Sequence, residues 1–178
     1  YSAIGETWEK RLFEDDQSIK SYERILEIDP GNIAAVKSLS NLYKRYQAWE
    51  KLIVVYNILI EEAVKKQNVQ DQISYLISLG KVYQDHIKKP EIAIDIFKKI
   101  LDLDPDHKES LQSLDNLYKS LEKLHELADL IHQKLLFCEN NEERLELYSH
   151  IGTLYEKELD YPDKAIEAFE SALNLDSQ

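Results

Sequence analysis

Residues 76–105 read LISLGKVYQDHIKKPEIAIDIFKKILDLDP, and this stretch decides the fold. Two apolar patterns of helical period meet at a short break. The first holds Leu76, Leu79, Gly80 and Tyr83; the second runs from Pro90 through Ala93 and Phe97 to Pro105. Pro90 suits the first turn of a helix, and Pro105 cannot continue one. The stretch therefore predicts two helices joined by a turn.

The same pattern recurs along the chain. Only four glycines occur, and three sit three residues before a large aromatic: Gly5 with Trp8, Gly80 with Tyr83, Gly152 with Tyr155. Pro30 and Pro105 each follow a glycine of this set by 25 residues, and Pro90 and Pro162 each follow one by ten. Scarce residues locked to one frame mark an internal repeat. Two more copies lie between. Val36, Leu39, Ser40 and Tyr43 match Leu76, Leu79, Gly80 and Tyr83, and so do Leu111, Leu114, Asp115 and Tyr118. A helical glycine costs about 1 kcal/mol against alanine, so its recurrence points to close approach of a neighbouring helix.

The pattern resembles the tetratricopeptide repeat, a 34-residue helix-turn-helix unit. The third copy matches at Leu79, Gly80, Tyr83, Ala93, Phe97 and Pro105, and the fifth at Ile151, Gly152, Tyr155, Ala165, Phe169 and Ala172. The first matches at Ile4, Gly5, Trp8, Tyr22 and Pro30, with Ser18 in the small-residue place. These three copies carry one extra residue in the turn. The second and fourth depart further, with Leu52 and Leu127 where alanine is usual. The resemblance implies an all-α right-handed α-α superhelix of about ten antiparallel helices. Five repeats are expected, at about 1–32, 33–68, 69–107, 108–140 and 141–178.

In order, the first helix is expected over 1–13, with Asp15 and Asp16 in the turn and a second helix ending near Ile28. Asn32, Asn68 and Asn140 are expected N-caps, and Asp106 with Glu109 a capping box. The helix over 49–66 contains LIVVYNILI and is apolar nearly all round, so it should be deeply buried or face a partner. The last helix, from Pro162, carries Ala165, Ile166, Phe169, Leu173 and Leu175 with no further capping element after it.

Bulk composition narrows the function. The chain has 178 residues, is 43% hydrophobic and has a formal net charge of -12. That charge argues against nucleic-acid and anionic-membrane binding. No apolar run reaches a membrane span. Cys138 is the single cysteine, which excludes an internal disulfide and favours a reducing, cytoplasmic setting. With no methionine and a start at Tyr1, the chain reads as a fragment of a longer protein.

Chemistry is sparse. His125 and His132 lie seven apart on one helix, too far for one-turn metal pairing, and His132 with Cys138 fits no zinc spacing. No glycine-rich phosphate loop or hydrolase nucleophile motif occurs. No cofactor, no metal and no catalysis are expected.

The resemblance implies a groove lined by the first helix of each pair. Its expected partner-binding residues are Lys37, Asn41, Lys44, Arg45, Lys81, Gln84, Gln112, Asn116 and Lys119, with Glu146 and His150 among those of the fifth copy. Basic residues on the groove side of an acidic chain suggest a protein or peptide partner that is acidic. Lys37 and Asn41 fit the start of a carboxylate clamp known in the family, but Ser78, Glu109 and Ser113 break it. The expected role is a non-catalytic protein-interaction scaffold. The alternatives are self-association through the 49–66 helix or the last helix, and docking within a larger protein.

Overall fold

A computed structural model describes residues 2–176, with side chains from Glu14 to Leu175. Among the described residues nine α-helices run α1 (Ser2–Ile28), α2 (Ile33–Arg45), α3 (Trp49–Lys65), α4 (Val69–Lys81), α5 (Pro90–Leu103), α6 (Lys108–Ser120), α7 (Leu124–Phe137), α8 (Asn141–Lys157) and α9 (Pro162–Asp176). A π-helical segment, Val82–Ile87, continues α4. Among the described residues there is no strand. The fold is an all-α solenoid.

The chain divides into two compact units, one ending at Ile96 and one beginning at Phe97, so the division falls inside α5. In the first unit α2 packs on α1 and α3, and α3 on α4. Val36, Leu39, Leu52 and Leu59 are its most completely buried large side chains. In the second unit α7 lies against α6 and α8, and α8 against α9. There Leu114, Ile131 and Ile151 form the centre. Apolar side chains at helical spacing bury one face of each helix, and that burial holds the layers together.

The turns explain why the helices stop where they do. The carbonyl of the recurring tyrosine ends the first helix of each of four pairs. Tyr43 and Tyr118 accept from Ala48 and Lys123, five residues on; Tyr83 and Tyr155 accept from Lys89 and Tyr161, six residues on. The extra residue of the third and fifth copies is absorbed here, in the third as the π segment. Each turn also needs one residue in the left-handed region: Gln47, Lys88, Glu122 and Asp160, with φ between 53° and 58°.

The first copy departs from expectation. α1 is continuous for 27 residues, with no turn at Asp15 and Asp16. The places of Lys88 and Asp160, eight residues past the glycine, are taken by Phe13, a bulky residue poorly suited to the left-handed region. The proline that opens α5 and α9 is replaced by Asp15. Nothing breaks the helix, and an i,i+4 pair between Asp16 and Lys20 runs through the expected turn. Ile4, Gly5 and Trp8, which carried the first-copy match, have side chains outside the described residues.

Asn32, Asn68 and Asn140 cap their helices as expected, each accepting from a first-turn N–H. The capping box at Asp106 and Glu109 does not form. The cap of α6 is His107, whose Nδ1 accepts the Ser110 N–H. A turn closed by the His107 N–H on the Asp104 carbonyl places Asp106 too early, inside the turn. α3 buries Leu52, Val55, Tyr56, Leu59 and Ala63 along one face and leaves Val54 and Val64 exposed. On α9 the alanines 165, 168 and 172 are buried, while Ile166 and Leu173 are exposed.

Gly152 shows what the repeat glycine is for. A Cβ there would stand 2.7 Å from the Phe169 ring of the following helix. The aromatic and the glycine are matched halves of one contact.

Candidate functional site

In the first unit the expected groove residues fall on α2 and at the end of α4. Lys37, Asn41, Lys44 and Lys81 are exposed, and Gln84 is half-buried in the π segment. Arg45 is committed elsewhere: its guanidinium meets Asp15 of α1 at 2.6 Å, and the Tyr46 hydroxyl donates to the same carboxylate. His86 stacks flat on Trp49, with centroids 3.6 Å apart and planes 4° apart. The stack ties the π segment to the start of α3. Tyr43 donates to Glu23, which also receives Lys51. These two donors hold the Glu23 carboxyl below its ordinary value, while burial and the Glu23 contact push the Tyr43 hydroxyl up.

In the second unit the three expected residues sit on α6. Gln112 donates to Asn116 at 3.3 Å. Lys119 is bound to Asp115 at 2.7 Å, and Lys134 of α7 reaches the same carboxylate at 2.8 Å. Asp115 is buried, at the place where the third and fifth copies have glycine. Burial works against its charge, but the two ammonium groups outweigh that and hold the carboxyl below its ordinary value. Lys119 is thus engaged within the fold.

A cleft of about 960 Å³ opens beside this network. Lys108, Leu111 and Gln112 of α6 form one wall, and Glu143, Glu146, Leu147 and His150 of α8 another. Lys134, Phe137 and Cys138 close the end at α7. Of the nine expected residues only Gln112 lines it; Glu146 and His150 join it from the fifth copy. Asn116 and Lys119 do not. The half-buried His150 is held below its ordinary pKa, first by burial and then by the charges of Lys119 and Lys134. Sequence reasoning missed Phe137, Leu147 and Lys134. Phe137 and Lys134 belong to a second helix, where no groove was expected, and Leu147 reads as an ordinary core position.

The remaining histidines are occupied. His132 Nε2 lies 2.9 Å from the Tyr155 hydroxyl, and His125 lies against Tyr161. Among the described residues no three His, Cys, Asp or Glu side chains are grouped to hold a metal ion. No helix among them is long and apolar enough to cross a membrane.

Comparison with known proteins agrees with the repeat. The tetratricopeptide repeat model matches residues 73–107 and 145–178. No curated protein matches the chain. Among solved structures, one of MamA is 18% identical over 96% of this chain and 87% of its own, with a TM-score of 0.52. The structure of YrrB, described as a TPR protein with an unusual peptide-binding site, is 15% identical over 93% of this chain and 80% of its own, with a TM-score of 0.51. At such identities the likeness is one of fold. Two segments of the chain thus match the tetratricopeptide repeat, and the chain shares the fold of these solved structures.

Proposed function

We propose that this chain is a non-catalytic scaffold that binds a protein or peptide segment along the first helices of its pairs. On this reading the repeats at about 33–68, 69–107, 108–140 and 141–178 are the helix-pair units, and the segment 1–32, expected as a fifth, contributes the single helix α1. The observation that carries it is the cleft between α6 and α8, where Gln112, Glu146 and His150 converge over an apolar floor. The peptide-binding description of YrrB supports the same reading. The acidic ligand suggested by the groove lysines applies to the first unit, at Lys37 and Lys44, and not to Lys119, which is bound to Asp115.

A photo-crosslinking side chain at position 112 or 44 tests this in extract of the source organism. A discrete partner should be captured from both positions and not from position 61, an exposed site on α3. Equal capture at all three positions would remove the groove from the proposal.

A second reading, self-association, has its own support. Ile166 and Leu173 lie seven apart on α9, 56% and 66% exposed. A mass that rises with concentration, and stops rising in Leu173→Glu, would favour it.

A further inference from the structure

The cleft of the second unit has a chemistry opposite to the one expected for the groove. We infer that it takes a basic segment, in which lysine or arginine side chains alternate with an apolar anchor. This rests on the scaffold reading and specifies its ligand at this site.

Charge carries the first half of the inference. Asp106, Glu139, Glu143 and Glu146 surround the opening. Against them stand Lys108 and Lys134, and Lys134 is already bonded to Asp115. His150 adds little positive charge, because burial and the nearby ammonium groups favour its neutral form. The opening therefore presents an excess of carboxylate to a ligand, and complementary charge favours and orients a cationic one.

Apolar surface carries the second half. Leu111 and Leu147 form the floor, and Phe137 stands on the wall with 43% of its surface exposed. An aromatic left open in a walled cleft gives an apolar side chain somewhere to bury. Carboxylates at the rim around such a floor match a segment with alternating cationic and apolar residues. A highly acidic segment would meet repulsion at the rim.

The test is fluorescence anisotropy on the full chain with two labelled nonapeptides, one alternating lysine and leucine, the other glutamate and leucine. The basic probe should bind, and Glu139→Lys with Glu146→Lys should weaken it by about tenfold or more. A control, Glu61→Lys with Asp95→Lys, changes net charge equally at exposed sites outside the cleft and should leave affinity within about twofold. Phe137→Ala should weaken binding without changing its salt dependence. Equal losses in both charge variants would reduce the effect to net charge and overturn the inference. Preference for the acidic probe, lost in Phe137→Ala, would overturn the basic assignment and leave the scaffold reading standing. Binding of neither probe would overturn both readings for this cleft. Circular dichroism of each variant separates lost binding from lost folding.

Discussion

Asp115 of α6 and Lys134 of α7 form an ion pair of 2.8 Å, with their side chains only 7% and 18% exposed. At the same two places the third copy has Gly80 and Ile100, and the fifth has Gly152 and Ala172. In the fourth copy the same two places carry a charged pair. A buried pair is costly to break from one side, because the remaining charge stays in a poor solvent. Asp115→Ala is therefore expected to lose about 2–4 kcal/mol. Asp115→Gly with Lys134→Ile puts the third-copy residues at both places, leaves no charge buried and should recover most of that loss. Chemical denaturation of Asp115→Gly, of Lys134→Ile and of the double variant checks it, and additive losses would mean the residues do not act as a pair.

Acid should weaken the second unit in two stages. The Asp115 carboxyl is held below its ordinary value of 3.8, so its contribution is present above that value and is lost as pH falls through the lower folded-state value. His150 is held below 6.5, so the fold prefers its neutral form and stability declines as pH falls from about 6.5. Thermal melts between pH 8 and 3 should show both declines. His150→Gln should remove the upper one and leave the lower.

At Gly152 a methyl group would collide with the Phe169 ring at 2.7 Å. Alanine gains about 1 kcal/mol in helix propensity but forces an overpacked contact costing about 1–3 kcal/mol. A net loss of about 1 kcal/mol is expected for Gly152→Ala. Phe169→Leu in the same chain should soften it. A stabilised Gly152→Ala would show that the ring gives way freely.

Lys88 sits at φ 58° after the π segment. A side chain in the left-handed region costs about 1–2 kcal/mol, more than glycine loses in backbone entropy. Lys88→Gly should stabilise the first unit by about 0.5–1 kcal/mol, read as a raised urea midpoint. An unchanged or lowered midpoint would place the strain elsewhere.

His107 caps α6 through Nδ1, while Ser110, whose N–H it accepts, is fully buried. His107→Ala should cost about 1 kcal/mol. His107→Asn keeps an acceptor there and should cost less. Equal losses would mean that the ring packs rather than caps.

Much of this was legible in the residues. Caps at Asn32, Asn68 and Asn140 follow from local chemistry, since a short side-chain oxygen can reach its own helix start. The one-residue insertion after Gly80 and Gly152 was visible too, but not the carbonyl that absorbs it. The first turn was misplaced because two aspartates look like a break, whereas a turn here needs a residue able to enter the left-handed region. The groove set was legible only as a list of positions on helices. Arg45 and Lys119 are held by Asp15 and Asp115, and one of those acids is on a different helix.

The sequence by itself determined the helix-pair repeat, because a period of rare residues and apolar spacing is a local, one-dimensional signal. It also determined that one tight helix contact needs glycine. Only the tertiary structure decided which charges remain for a ligand. Whether Lys134 faces a ligand or a buried aspartate depends on distances across helices, and so does the gathering of Gln112, Phe137, Glu146 and His150 around one cleft.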